Sequence, residues 1–129
     1  SKAKNIRRCC RTLVDEFGGE IPEAMEDLLK LGGVGRKVAN LIRGDVFGLG
    51  GIVADTHCIR ITNKLGLVDS HDPVKVERQL EGFIPRQRQT DFCHRLVHFG
   101  RDCCIARAPQ CDVCVLADCC EACQKGESA

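Results

Sequence analysis

Four cysteines near the end of the chain have the spacing of a metal-binding motif. Cys104, Cys111, Cys114 and Cys120 form the pattern C-x6-C-x2-C-x5-C. Thiolates packed this closely suit either zinc or an iron-sulfur cluster, and spacing alone does not separate the two. The choice of quartet is also open, because further cysteines lie beside these four: Cys103, Cys119 and Cys123.

Lys37 is a second candidate for chemistry, because a glycine-rich turn precedes it in the segment 31–37, LGGVGRK. Glycines allow positive φ angles and leave the backbone amides at the start of the next helix uncovered. Such amides, together with the helix dipole, suit a phosphate of the DNA backbone. The candidate contacts are Gly33, Val34, Gly35 and Arg36. The dipole and Arg36 also disfavour the charged form of Lys37, which favours a nucleophilic amine.

Asp55 is the third candidate, at the predicted start of a helix. Capping that helix is the simplest role for an aspartate in this position. A carboxylate beside a reacting sugar can also stabilise positive charge at the anomeric carbon, and one side chain can do both. We expect His57 to be a capping or core histidine.

The elements that must position these residues are predicted to be helices. Apolar residues recur at helical spacing before Gly18, from residue 22 or 23 to residue 31, from Lys37 to Val46, and between Asp55 and Gly66. Two more helices are expected, one after Asp72-Pro73 and one after Pro85. No segment alternates with period two, so the sequence predicts an all-α fold.

Composition excludes several classes of protein. The 129 residues are 43% hydrophobic and 29% charged, which argues against wholesale disorder, and no apolar run is long enough to span a membrane. The chain lacks an apolar signal-peptide core, so we expect an intracellular protein. The formal net charge of +1 gives no whole-molecule attraction to nucleic acid. Any DNA contact must therefore come from local features such as the hairpin and Arg107, in the loop between Cys104 and Cys111.

The hairpin 31–37, the segment 54–57 (ADTH) and the four-cysteine pattern occur together and in this order. In this combination the whole chain resembles the endonuclease III branch of the helix-hairpin-helix DNA glycosylases. The resemblance implies a helix-hairpin-helix DNA glycosylase fold with a [4Fe-4S] cluster on Cys104, Cys111, Cys114 and Cys120. Gly32 stands where the family usually has proline, which predicts a more flexible hairpin.

The resemblance also implies roles for the two candidate catalytic residues. Lys37 would attack the sugar carbon that bears an oxidised pyrimidine, form a Schiff base and nick the strand by β-elimination, with Asp55 assisting. The lysine favours this bifunctional lyase over the related monofunctional adenine mismatch glycosylases. A non-catalytic DNA-binding iron-sulfur module and a small metal-handling protein are the alternatives.

The family has further helices before the part that matches Ser1, so we expect a carboxy-terminal portion whose fold is incomplete at its N-terminus and whose activity alone is in doubt. Residues 1–49 would form a partial helical barrel with the hairpin, and residues 50–129 an iron-sulfur domain with its cluster loop at 104–120. The expected partner of this monomer is double-stranded DNA with damaged bases or abasic sites, without membrane contact. It would act in the cytoplasm or nucleoid of a bacterium or archaeon, or in the nucleus or mitochondrion of a eukaryote.

Overall fold

The computed structural model describes residues 1–126, and these residues form helices and no β-strand. The prediction of an all-α fold is therefore confirmed for the described residues. The last three residues of the predicted iron-sulfur domain, 127–129, lie outside them. The helices are α1 Lys2–Phe17, α2 Met25–Leu28, α3 Arg36–Asp45, α4 Thr56–Leu65, α5 Pro73–Glu81, α6 Arg86–Asp102 and α7 Glu121–Gln124, with short 3₁₀ helices at Cys111–Val113 and Ala117–Cys119.

Most helix ends lie where local side-chain chemistry predicts them. Gly18 and Gly66 end α1 and α4 in the left-handed conformation, with φ angles of 64° and 88°. Glycine is favoured there because it has no Cβ to clash with the following carbonyl. The side chains of Asp55 and Asp72 cap α4 and α5 by accepting backbone N–H groups. The predicted capping role of Asp55 is thus confirmed.

Two helices are shorter than their apolar patterns predict. Helix α2 ends at Leu28, although its predicted span reaches residue 31, and α5 ends at Glu81, although apolar residues continue at helical spacing from Val76 and Leu80 to Phe83. After α2 the backbone tightens, and the Leu31 amide donates to the Leu28 carbonyl at 3.1 Å. This tighter turn still buries both leucines, at 0% and 5% exposure. Phe83 lies beyond α5 and is 53% exposed.

The buried apolar residues form two clusters along the chain. The first joins α1, α2 and α3 around Leu28, Leu31 and Ala39. The second lies between α4, α5 and α6 and contains fully buried residues such as Ile52, Ile61, Val76 and Leu80. Within residues 1–126 no helix has the length and apolar character needed to cross a membrane.

Candidate active site and cysteine-lined cavity

The turn between α2 and α3 presents unused backbone amides at the start of α3. Gly33 has a φ angle of 79°, and the Val34 amide donates to the Leu31 carbonyl at 3.2 Å, which reverses the chain. No side chain caps α3 at Gly35. The amides of residues 35–38 are donors in no turn or loop hydrogen bond within residues 1–126. Among the predicted phosphate contacts, Val34 is therefore the one whose amide is already engaged.

Helix α1 packs directly against this turn. A Cβ atom built on Gly32 would lie 2.9 Å from the Asn5 carbonyl oxygen and 3.1 Å from Arg8 Cβ. Only glycine fits so close an approach without a shift of α1 or the turn. The absence of proline predicted a flexible hairpin, but packing on α1 supplies a restraint that the sequence pattern does not reveal.

The side chain of Arg36 is held by a buried carboxylate rather than left free for DNA. Its Nε atom donates to Glu77 Oε1 at 3.2 Å, and its Nη2 atom donates to Glu77 Oε2. This hydrogen-bonded pairing raises the pKa of the Arg36 guanidinium. Asn40 Nδ2 donates to the same carboxylate at 3.0 Å and to the Ile52 carbonyl at 2.9 Å. Glu77 therefore connects α3 and α5, and Asn40 extends the network to the segment before Asp55.

Lys37 and Asp55, predicted separately from the sequence, line the same cleft. The cleft has a volume of about 270 Å³, is partly open to solvent, and lies between α3, the segment 51–55 and α6. Lys37 is exposed and Asp55 is half-buried. Asp55 Oδ1 accepts the Cys58 amide at 2.8 Å, whereas Oδ2 has no hydrogen-bond partner among residues 1–126. One carboxylate oxygen thus caps α4 while the other is unengaged.

One wall of the cleft is a stripe on α6 that the sequence analysis did not assign to the site. It consists of Thr90, Cys93, His94 and Val97. Their spacing of three and four residues is that of a single helix face, which is the signal that could have found them. His94 Nε2 lies 2.7 Å from Asp45 Oδ1 and so links α6 to the end of α3.

Two cysteines beside the cleft are buried thiols. Cys58 is 1% and Cys93 is 8% exposed. Burial raises the pKa of Cys58 to about 12 and also raises that of Cys93. Both side chains are neutral at physiological pH and pack as small apolar groups.

The cysteine-rich tail surrounds a narrow cavity of about 20 Å³ that opens to solvent. All four members of the predicted quartet line it, and so do two other cysteines, Cys103 and Cys123. Within residues 1–126, no three His, Cys, Asp or Glu side chains come close enough together to hold one metal ion. Six cysteines around one cavity are a donor set that suits a thiolate-bound metal centre.

Hydrogen bonds attach the cysteine loop to α4. Arg60 Nη1 donates to the Cys104 carbonyl at 2.7 Å, and Nη2 lies 3.3 Å from His57 Nδ1. The buried Cys120 thiol donates to the Lys64 carbonyl at 3.5 Å. Arg107 is exposed in the segment before Cys111 and lines neither the cleft nor the cavity.

A helix-hairpin-helix turn beside a cleft that holds lysine and aspartate defines a class of DNA repair proteins. The family model for the HhH-GPD superfamily of base excision DNA repair proteins matches residues 1–86, and the chain belongs to that family. Endonuclease III of Synechocystis sp. (strain ATCC 27184 / PCC 6803 / Kazusa) is 44% identical over 125 residues, covering 96% of this chain and 57% of the relative. Endonuclease III of Escherichia coli (strain K12) is 40% identical over 121 residues, covering 94% and 57%.

Solved structures agree with this assignment. A trapped endonuclease III–DNA covalent intermediate with an estranged adenine matches with a TM-score of 0.90 and 38% identity, over 97% of this chain and 59% of that one. A thermostable thymine-DNA glycosylase, at 22% identity and a TM-score of 0.85, shares the fold over 96% of this chain and 59% of its own. The chain spans about 57% of the length of the two curated relatives.

Proposed function

We propose that the chain carries the reactive lysine and the DNA-gripping hairpin of a bifunctional DNA glycosylase and abasic-site lyase. Its substrate would be double-stranded DNA with an oxidised pyrimidine or an abasic site. The observation that carries the proposal is the shared cleft of Lys37 and Asp55, directly beside a helix start with unused amides. Relatives that bear the name endonuclease III, and a solved covalent endonuclease III–DNA complex, support this substrate class.

Lys37 is the proposed nucleophile. Its neutral Nζ attacks C1′ of the damaged nucleotide, the C1′–N bond to the base breaks, and the base leaves with the electron pair and takes up a proton. Opening of the sugar ring gives a Schiff base between Nζ and C1′. Removal of a C2′ proton then expels the 3′ phosphate by β-elimination, and water releases the lysine.

Asp55 is proposed to stabilise the positive charge that develops at C1′ while the base departs. Its position is fixed because Oδ1 accepts the Cys58 amide at 2.8 Å. This cap orients the carboxylate with no substrate present, so little reorganisation is needed during the reaction. The unengaged Oδ2 is the atom that would face the sugar or a proton-carrying water.

The hairpin and the cleft would bind different parts of the DNA, a backbone phosphate and the damaged nucleotide. The amides of residues 35–38 and the positive end of the α3 dipole would hold a backbone phosphate without reading sequence. The damaged nucleotide must leave the base stack to reach Lys37, which costs least where pairing is already weakened. We infer that Gly33, Gly35 and the Arg36 backbone contribute to phosphate binding, and that the exposed Arg107 contacts a second phosphate.

The proposed ligands of a [4Fe-4S] cluster are Cys104, Cys111, Cys114 and Cys120, which share one cavity. When bound, the cluster would supply cross-links that hold the tail against α4 and position Arg107, with no step of the reaction assigned to it. We also infer that the chain divides near residue 49 into a partial helical barrel and an iron-sulfur domain. The two separate apolar clusters support this division.

Borohydride trapping tests the proposed chemistry. A duplex with one abasic site is mixed with the 129-residue chain, or with a protein that also carries the segments present in the longer relatives, and the imine is reduced to a stable adduct. We expect an adduct that Lys37→Gln abolishes and that Lys75→Gln, a lysine outside the cleft, leaves intact. Two outcomes would refute the assignment of Lys37 as the nucleophile: an adduct that persists in Lys37→Gln, or no adduct with the longer protein that retains Lys37.

A further inference from the structure

Cys123 lies on the same cavity as the proposed cluster ligands without belonging to their quartet. Cys120 is the N-cap residue of the single-turn helix α7, and Cys123 lies three residues further on within that turn. The turn is anchored, because Ala122 is only 6% exposed and Gln124 Nε2 donates to the Ala117 and Asp118 carbonyls at 3.1 and 3.2 Å. The position of Cys123 is therefore set by packing and hydrogen bonds.

The Cys123 thiol shares its cavity with cysteines from two other short elements of the tail. Cys120 and Cys123 approach the cavity from one turn, whereas Cys111 enters from a separate short 3₁₀ helix. Cys123 therefore offers the cavity a second sulfur one turn from Cys120.

Cys119 shows that closeness in sequence does not bring a thiol to this cavity. It adjoins Cys120, yet it is exposed and its sulfur donates to the Leu116 carbonyl at 3.4 Å. It does not line the cavity. Cys119 is therefore a matched control for any role assigned to Cys123.

We propose that Cys123 is a reserve ligand that can replace Cys120 and complete a four-thiolate set with Cys104, Cys111 and Cys114. The inference rests on the proposed cluster in this cavity. In the exchange, the iron–sulfur bond to Cys120 breaks and one to Cys123 forms. One proton leaves the Cys123 thiol for solvent and one is taken up by the Cys120 thiolate, so no electron is transferred.

The test is reconstitution of the chain with ferrous iron and sulfide under anaerobic conditions. Bound iron and acid-labile sulfide are measured for the wild type, Cys120→Ala, Cys120→Ala/Cys123→Ala and Cys120→Ala/Cys119→Ala. Far-ultraviolet circular dichroism reports whether each variant keeps its helices. In loaded Cys120→Ala, alkylation followed by mass spectrometry shows whether the Cys123 and Cys119 thiols are accessible.

The iron content of Cys120→Ala should stay within about two-fold of wild type. The iron content of the variant that also lacks Cys123 should fall at least about ten-fold, because losing groups that support a metal site lowers its metal affinity on this scale. Removal of Cys119 should add nothing, and alkylation should reach Cys119 but not Cys123. Equal loss from Cys120→Ala and the Cys120/Cys123 variant, or free alkylation of Cys123, would overturn the inference while leaving the cluster proposal intact. Failure of the wild type to bind iron and sulfide would overturn both.

Discussion

Removal of the Arg36 side chain should lower the free energy of unfolding, because this side chain connects the hairpin to α5. Glu77 is 3% exposed, and its carboxylate is compensated by Arg36 and Asn40. Arg36→Ala leaves that charge buried with only the amide of Asn40 as partner. Loss of one member of a buried ion pair costs about 3–5 kcal/mol, most of it from the unpaired charge. The Arg36 side chain is itself 41% exposed, so water can reach part of the gap and we expect about 3 kcal/mol.

A change at Glu77 should cost less stability than a change at Arg36. Glu77→Gln removes the charge but keeps an oxygen for Asn40, and the partly exposed Arg36 can turn to solvent. We therefore expect a smaller cost of about 1–2 kcal/mol, the range for a weakened buried hydrogen bond. Combining Arg36→Met with Glu77→Leu should recover most of the stability, because neither buried charge is then left alone.

Urea unfolding followed by far-ultraviolet circular dichroism measures these differences as shifts of the midpoint at constant slope. Arg95→Ala is the matched control, since its pair with Asp91 is 80% and 66% exposed and should be worth at most about 1 kcal/mol. Two results would contradict a buried, compensated Glu77 carboxylate: a cost of Arg36→Ala no larger than that of Arg95→Ala, or a larger cost of Glu77→Gln than of Arg36→Ala.

Three further changes test other contacts. Gly100→Ala should cost about 1–3 kcal/mol in urea unfolding, because its Cβ would lie 2.6 Å from a histidine nitrogen of α4. Cys58 should resist iodoacetamide in the folded chain while the exposed Cys10 reacts. Since burial raises the pKa of Cys58 from 9.0 to about 12, its contribution to stability should be complete below pH 9 and be lost as pH rises towards 12, a loss that Cys58→Ala abolishes. Asp55→Asn should keep the helix cap and stability but lose lyase activity, whereas Asp55→Ala should also lose about 1 kcal/mol; full activity in Asp55→Asn would exclude the charge-stabilising role.

Sequence reasoning located the helix ends because a few neighbouring residues determine them. Gly18, Gly66, Asp55 and Asp72 act through their own backbone or through an amide three residues away. The predicted end of α2 was wrong because the helix end depends on the packing of Leu31 against other helices and not on a local cap. Tertiary burial overrides a helical apolar pattern where a tighter turn buries the same side chains.

The catalytic candidates were accessible to sequence reasoning because Lys37 and Asp55 lie in short motifs. Glu77 was missed because its partner Arg36 is 41 residues away. A signal was nevertheless present, since Glu77 falls on the apolar face of α5 beside Val76 and Leu80, all three of which are buried. A lone acidic residue on such a face indicates a buried partner, but nothing in the sequence identifies which arginine supplies it.

The same contacts explain how a cysteine-rich tail can influence a cleft that it does not line. Arg60 joins the Cys104 carbonyl to α4, and Asp55 is the cap of that helix. Glu77 and Asn40 join the start of α3 to the segment that leads into Asp55. The start of α3 is therefore held through α5, whereas Asp55 is held both through this network and through α4, which the cysteine loop contacts. Loss of the proposed cluster should thus disturb Asp55 before it disturbs the hairpin amides.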